Sequence, residues 1–222
     1  MANALKKRGQ DSPLDRRQRQ VRRHRWDVVE AALDLFDEKG CQAAGMQEIA
    51  RRAEFGVGTV YRLFPGGKQE ILAEVRERVV LEMEKALASE APPADPVEKV
   101  RYFIRIYTKV FAARPREMAA HLTAEVGEPH RCLQLEYGLE PEQIARIQPL
   151  LTVFREGMAQ GVASGQLRDL PPAKAARSLE FLLGSSLLGW QEDRDQGRNP
   201  ESLERTVGFV EELFFHGINQ AS

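Results

Sequence analysis

Two short apolar patterns lie side by side between Met46 and Phe64, and they constrain the fold more than any other part of the chain. Both patterns step by three and four residues, which places each set on one face of an α-helix. They comprise Met46, Ile49, Ala50 and Ala53, followed by Val57, Val60, Tyr61 and Phe64, which we expect to face inward. The residues between them, Glu54 to Gly56, suffice for the short turn of a helix-turn-helix. The sequence therefore predicts two crossed helices, of which the second is a candidate recognition helix.

The outward side of this second helix has chemistry that suits a DNA groove. It carries Gly58, Thr59 and Arg62. The glycine lets the backbone come close to a partner, the threonine offers a hydroxyl and a methyl group, and the arginine offers a charged guanidinium. A recognition helix reads base edges from its N-terminal residues, and its positive dipole end favours phosphate. The alternative is an ordinary pair of small helices packed in an all-α core.

The residues around this turn resemble a known family. The run Ile49-Ala50, Ala53 and Gly56-Val57-Gly58-Thr59-Val60-Tyr61-Arg62-Leu63-Phe64-Pro65, followed by Lys68 and Ile71-Leu72, resembles the DNA-binding domain of the TetR family of bacterial transcriptional regulators. The resemblance covers about Arg25 to Glu74. It implies an all-α fold of about nine helices, with an N-terminal three-helix DNA-binding domain and a C-terminal helical ligand-binding and dimerisation domain.

The resemblance also suggests which residues contact DNA, with Gln47 and Lys68 on backbone phosphates. The full set is Gln47, Val57, Gly58, Thr59, Tyr61, Arg62, Lys68, Arg22 and Arg23. The chain departs from the family pattern at two places. Glu54 stands where the family usually has glycine, and a non-glycine residue at positive φ costs on the order of 1 kcal/mol. The link from Pro65 to Lys68 is also one residue longer than usual.

The positive charge of the chain is concentrated at its start. Residues 1–25 contain nine Lys or Arg against two acidic residues, a net charge of +7, whereas the whole chain has a net charge of -1. Such an arm can neutralise phosphates or reach a minor groove. The alternative is a solvated, disordered tail. We divide the chain into a basic flexible arm (1–18), a helix-turn-helix domain (19–67) and a helical ligand-binding and dimerisation domain (68–222).

Helical patterns continue on both sides of this motif. We expect helix 1 to end at Gly40 and to bury Trp26 in a stripe with Val29, Leu33 and Phe36. A proline inside a helix removes a hydrogen bond, so Pro149 should kink or break the seventh helix. No run approaches the roughly 18 apolar residues of a membrane span, and we expect a cytoplasmic protein with two unlinked thiols, Cys41 and Cys132.

The last two predicted helices are apolar on more than one side, so each must be covered on more than one side. A symmetric dimer that packs these helices into a four-helix bundle would cover them. The alternative is a larger core within one chain. The residues expected at the dimer interface are Leu179, Leu183, Leu187, Trp190, Val210 and Phe214, with Gly184 allowing close approach.

Aromatic and apolar residues of the middle helices form a candidate effector pocket. They are Phe103, Tyr107, Phe111, His121, Tyr137, Phe154 and Met158. This mixture of apolar surface with a few polar tips is typical of small-molecule sites, although it is also typical of plain core. The expected effector is a small apolar or aromatic molecule.

The sequence offers little support for an enzyme. A loose group of His121, Glu125, His130 and Cys132 could hold a metal, but it lacks a recognisable ligand pattern. The pair Gly56 and Gly58 follows a helix rather than a strand, so it is no phosphate-binding loop. We therefore predict a ligand-responsive, dimeric repressor that needs no cofactor or metal and binds a pseudo-palindromic double-stranded DNA operator. The alternative is a helical protein-protein scaffold without DNA binding.

Overall fold

The computed structural model describes residues 13–124, 134–198 and 201–218, and within these ranges the chain forms nine α-helices and no strand. The predicted all-α fold is thus confirmed. None of the described helices is long and apolar enough to cross a membrane. Residues 1–12, most of the predicted basic arm, lie outside the described residues, as do Glu125, His130 and Cys132. The helices are α1 (Pro13–Ala43), α2 (Met46–Arg52), α3 (Val57–Leu63), α4 (Lys68–Ser89), α5 (Pro96–Ala113), α6 (Pro115–Thr123), α7 (Pro141–Ala163), α8 (Pro172–Asp195) and α9 (Leu203–Ile218).

Helix α1 begins at Pro13 and its regular geometry is interrupted at Gly40, where φ is +81°. Val29, Leu33 and Phe36 are buried as predicted. The prediction that Trp26 joins them is wrong, because its side chain is 46% exposed. The guanidinium of Arg78 lies 3.8 Å from the centroid of the Trp26 ring. One face of the indole is therefore covered by a cation at the surface instead of by core side chains.

An N-terminal core joins α1, α2 and α3 to the first turns of α4. Its members are all buried and include Val28, Val29, Leu33, Ile49, Ala50, Val60, Leu63, Phe64, Ile71, Leu72 and Val75. Val57 and Tyr61 remain exposed, which corrects the prediction that they face inward. Because α3 has only seven residues, it buries a narrow stripe, formed by Val60 and Leu63.

Helix α6 contributes to the same core although it belongs to the C-terminal part of the chain. Ala120 and Ala124 are buried among the N-terminal residues. The Arg116 guanidinium pairs with the carboxylates of Asp34 and Asp37 on α1. The side chain of Gln42 donates a hydrogen bond of 2.9 Å to the carbonyl of Ala124. Helix α6 is thus fixed to α1 by both apolar and polar contacts.

The second core lies between the later turns of α4 and helices α5 to α9. The Phe103 and Phe154 rings stack with their centroids 4.0 Å apart, joining α5 to α7. A Cβ atom on Gly157 would lie 2.8 Å from the backbone carbonyl of Pro96, so the absence of a side chain allows this close approach. Helix α7 continues through Pro149 and is not broken there.

Helices α8 and α9 bury the apolar stripe that the sequence pattern predicts at a dimer interface. Leu179, Leu183, Leu187, Val210 and Phe214 all lie in the core of a single chain, which contradicts their predicted place at a subunit interface. Gly184 is buried there too. The two helices pack on each other and on α5 and α7, and this packing covers the stripe without a partner. Trp190 is partly buried, and its indole N–H donates to the carbonyl of Glu201 over 2.7 Å.

Candidate nucleic-acid interface

The turn before α3 has the geometry of a Schellman motif, a common way to end a helix. The amide of Phe55 donates to the carbonyl of Ala50, and the amide of Glu54 donates to that of Arg51. This arrangement requires positive φ at the residue after the C-cap, which is usually glycine. Here that residue is Glu54, with φ of +58°. Glu54 therefore has the positive φ that is unfavourable for a residue with a Cβ atom, as its departure from the family pattern led us to expect.

Helix α3 begins after Gly56 and presents an exposed surface at its N-terminal end. Val57, Gly58, Tyr61 and Arg62 are exposed, and Thr59 is partly exposed. A Cβ atom on Gly58 would meet no other atom within 4 Å, so the packing of the chain itself does not require glycine here. Arg62 makes no hydrogen bond or ion pair with any other described residue. Its guanidinium is therefore available to an external acceptor.

Two other predicted contact regions lie on neighbouring helices. Gln47 is exposed on α2, and Arg22 and Arg23 are exposed on the first half of α1. Neither arginine forms an ion pair in the described part of the chain. Both are thus suited to phosphate contacts, since Lys and Arg side chains supply most of the electrostatic affinity for DNA.

Lys68 does not belong to this surface, which corrects its predicted role as a phosphate contact. Its ammonium donates hydrogen bonds of 2.7, 3.0 and 3.1 Å to the carbonyls of Cys41, Gln42 and Ala44. The last carbonyls of a helix have no partners within the helix, and a cation there also interacts favourably with the helix dipole. Lys68 therefore caps the end of α1 with all three of its N–H donors.

Arg25 is a structural residue, although no sequence pattern separates it from the other basic residues near the start of the chain. Its guanidinium pairs with Glu70 and Glu74 on α4 and donates to the carbonyl of Leu63. It also lies 4.0 Å from the centroid of the Phe64 ring. Arg25 thereby holds the end of α3 against α1 and α4, and it fixes the orientation of the recognition helix.

The residues predicted to bind an effector are brought together, but in a packed interior. Six of them are buried, namely Phe103, Tyr107, Phe111, His121, Phe154 and Met158, and Tyr137 is partly buried. The ring Nε2 atom of His121 lies 2.9 Å from the carbonyl oxygen of Leu135. A surface groove of about 510 Å³ lies between α5 and α9, and none of the seven residues lines it.

Glu180 on α8 is a polar residue of this region that the sequence interpretation missed. Burial raises the pKa of its carboxyl to about 7, the nearby Glu136 carboxylate adds to the shift, and Arg155 and Arg177 oppose it. The sequence did contain a signal, because Glu180 interrupts the apolar run from Leu179 to Trp190.

Comparison with known proteins agrees with the geometry of the N-terminal domain. Residues 28–75 match the family of bacterial regulatory proteins called the tetR family. The transcriptional regulator BetI of Rhizobium meliloti is 24% identical over 185 residues, which span 83% of this chain and 84% of BetI. A transcriptional repressor of Mycobacterium tuberculosis is 36% identical over 72 residues, or 32% of this chain and 37% of the repressor.

Solved structures show the same fold over most of the chain. The TetR family regulator PfmR from Thermus thermophilus aligns with a TM-score of 0.61 and 23% identity, covering 88% of this chain and 99% of PfmR. These relatives are transcriptional regulators and not enzymes. The chain therefore belongs to the TetR family of bacterial regulatory proteins and is a helix-turn-helix transcriptional regulator that binds DNA.

Proposed function

We propose that the protein is a dimeric, ligand-responsive repressor that inserts α3 into the major groove of a pseudo-palindromic operator. The observation that carries this proposal is the outer surface of α3. Gly58 has open space beside it, and Tyr61 and Arg62 are exposed beside Thr59. Together these residues supply a close approach, hydroxyl groups and a guanidinium that suit base edges and phosphates. A scaffold without DNA binding would leave this surface unexplained.

The same proposal assigns Arg22 and Arg23 to DNA phosphates, with Gln47 beside them. The two arginines extend along exposed turns of α1 that carry several further arginines. Contacts of this kind fix the position of a protein on DNA without reading sequence. They should therefore set the salt dependence of binding, whereas α3 should set its specificity.

A second copy of the chain would cover the apolar surface that α8 and α9 leave exposed. Phe181 on α8 is 51% exposed, and Phe209 and Leu213 on α9 are 61% and 49% exposed. Large side chains exposed together are typical of protein interfaces. Gly189 and Gly208, each with open space beside it, would allow the helices of two copies to approach closely. These residues replace the buried leucines as our proposed interface.

The effector would act through α6. Its buried residues Met118 and Leu122 contact the C-terminal core, while Arg116 and Ala120 contact the N-terminal domain. A ligand that binds one position of α6 more tightly would shift α1 and hence α3. Proteins of this fold do bind ligands, since FadR from Bacillus subtilis was solved in complex with stearoyl-CoA. The similarity to a transcriptional repressor of Mycobacterium tuberculosis supports repression rather than activation.

A fluorescence-anisotropy titration tests DNA binding directly. The DNA upstream of the gene that encodes the protein should bind more tightly than a scrambled duplex of equal length, at several salt concentrations. Arg62→Ala should weaken specific binding by about 1 to 3 kcal/mol if the guanidinium reads a base. Lys174→Ala, at an exposed position on α8, serves as the control and should bind as the wild type does. Equal affinity for both duplexes would favour the scaffold alternative.

A further inference from the structure

The groove between α5 and α9 lies outside the packed aromatic interior. Its volume of about 510 Å³ is within the range of small-molecule sites. Ile104 on α5 and Leu203 and Val207 on α9 give it an apolar lining. An apolar group can therefore enter this groove while the stacked rings of the core stay in contact.

An ion pair closes one end of the groove. The Arg101 guanidinium on α5 lies 2.7 Å from the Glu211 carboxylate on α9, so these opposite charges neutralise each other. From this pair the lining runs towards the C-terminal end of α5 and towards the N-terminal end of α9, so the two helices are antiparallel. Lys109 and Glu204 therefore lie together at the other end, one on each helix.

Lys109 and Glu204 carry charges that the chain does not neutralise. Neither side chain forms an ion pair with another described residue. The Lys109 ammonium donates to the uncharged hydroxyl of Ser89 over 2.8 Å. Arg105, the other cation in the lining, is instead paired with the Glu90 carboxylate at 2.5 Å. This end of the groove thus presents one cation and one anion on opposite walls.

The hydroxyl of Thr108 is a polar group of the same lining, next to Lys109 in the chain. Its oxygen is shielded from solvent and has no hydrogen-bond partner in the part of the chain that the structure describes. Buried polar atoms are normally paired. A threonine in a helix has two favourable χ1 rotamers, so rotation about one bond can turn this hydroxyl towards a ligand. Thr108 is therefore a hydrogen-bond donor for a carboxylate beside Lys109.

A ligand with a single charge does not suit both walls. A carboxylate that Lys109 attracts is repelled by Glu204, and an ammonium that Glu204 attracts is repelled by Lys109. A zwitterion satisfies both side chains at once. An α-amino acid carries its two charges on one carbon atom, which leaves its side chain free to extend along Ile104 and Val207.

We propose that the groove between α5 and α9 binds a free amino acid with a large apolar side chain. The ligand carboxylate accepts from the Lys109 ammonium and the Thr108 hydroxyl, and the ligand ammonium donates to the Glu204 carboxylate. The ligand side chain packs on Ile104 and Val207. This inference goes beyond the proposed function and does not depend on it, because the site is defined without DNA.

Calorimetric titration of the full chain with four probes separates the two charges from the apolar contact. The probes are L-phenylalanine, 3-phenylpropionate, which lacks the ammonium, 2-phenylethylamine, which lacks the carboxylate, and glycine, which lacks the ring. We expect phenylalanine to bind about tenfold more tightly than either singly charged probe, because only phenylalanine satisfies both walls. Glycine should give no binding heat at the same concentrations. Equal affinities for the three probes with a ring, or no binding of phenylalanine at millimolar concentration, would overturn the proposal.

Variants of the charged walls should affect the probes selectively. Lys109→Met should weaken phenylalanine and phenylpropionate but not phenylethylamine, whereas Glu204→Gln should weaken phenylalanine and phenylethylamine but not phenylpropionate. Thr108→Val should weaken the two carboxylates by about threefold, because one neutral hydrogen bond is lost. Glu192→Gln, at an exposed position on α8, is the control and should change no affinity. Equal effects of Lys109→Met on all three probes would contradict the assignment, since general damage to the fold does not distinguish charges.

A pair of neighbouring substitutions tests the location of the site. Ala112→Phe fills the groove beside Lys109 and should abolish phenylalanine binding, because Ala112 is exposed and lines the groove. Ala113→Phe is the matched control, since Ala113 is also exposed on α5 but lies outside the lining. It should bind phenylalanine as the wild type does, and both variants should keep the wild-type Tm. Phenylalanine binding that survives Ala112→Phe would place the site elsewhere and overturn the inference.

Discussion

The Arg116 guanidinium on α6 lies 2.5 Å from the Asp34 carboxylate on α1, and it also pairs with Asp37 at 2.7 Å. We expect Arg116→Ala to destabilise the protein by about 0.5 to 1 kcal/mol, since the pairs are partly exposed. Hydrogen exchange of the α6 amides should become faster because the helix loses its polar links to α1. Arg146→Ala is the control, since Arg146 joins α7 to α4 without contacting α1. Faster α6 exchange in the control alone would contradict the expectation.

Glu54 provides a test of backbone strain at the turn before the recognition helix. Its φ of +58° is unfavourable for any residue with a Cβ atom. Glu54→Gly should therefore stabilise the protein by about 0.5 to 1 kcal/mol, as measured by urea denaturation. Arg51→Gly, at an exposed position inside α2, should instead destabilise it by about 1 kcal/mol. A loss of stability in both variants would show that the turn is not strained.

Lys68 should matter for stability and not for DNA contact. Lys68→Met leaves the last carbonyls of α1 without their donor, and we expect a loss of about 1 to 2 kcal/mol in the free energy of unfolding. The salt dependence of DNA binding should stay unchanged, because no phosphate contact is lost. Arg62→Ala is the opposite case, since its Tm should stay constant while DNA affinity falls. If DNA binding by Lys68→Met depended less on salt than binding by the wild type, Lys68 would contact a phosphate after all.

The exposed phenylalanines of the last two helices should determine the oligomeric state. Phe209→Asp places a charge in the proposed interface, and sedimentation should then show a monomer with little change in Tm. Leu179→Ala has the reverse effect, because Leu179 is buried within the chain and its loss costs about 2 to 5 kcal/mol. A Phe209→Asp variant that sediments as a dimer would rule out this surface.

Glu180 should make stability depend on pH. Because its pKa is raised from 4.5 to about 7, the ionised form disfavours folding, so stability is lost as pH rises from about 4.5 to 7. Glu180→Gln should therefore match the wild type near pH 4.5 and exceed it by about 1 to 3 kcal/mol at pH 8. Thermal denaturation of both proteins across this range measures the difference. Parallel curves would mean that Glu180 is solvated.

The helix-turn-helix was predictable from sequence because its information is local. The spacing of apolar residues defines α2 and α3, and Glu54 was correctly identified as the residue at the strained turn. Burial of single residues was not predictable in the same way. Trp26 and Leu179 both lie on apolar stripes, yet Arg78 covers the first at the surface and neighbouring helices cover the second. An apolar stripe indicates that its residues will be covered, but it does not identify the side chains that cover them.

The same limit applies to the charged residues of the candidate site. Lys68 and Arg62 are both basic residues of the family motif, and only the position of the end of α1 separates their roles. Arg25 and Arg22 differ likewise, because only Arg25 reaches Glu70 and Glu74 on α4. Such contacts join residues 24 to 49 positions apart, so the periodicity within one helix carries no information about them.

The open space beside Gly58 has a consequence for how this regulator changes over time. Since no neighbouring atom would touch a side chain there, substitution at this position leaves the packing of the domain intact. If α3 enters the major groove as proposed, selection on residue 58 acts through DNA binding and not through the packing of the domain. A lineage can acquire a new target sequence at this point of the molecule without first compensating for a less stable fold.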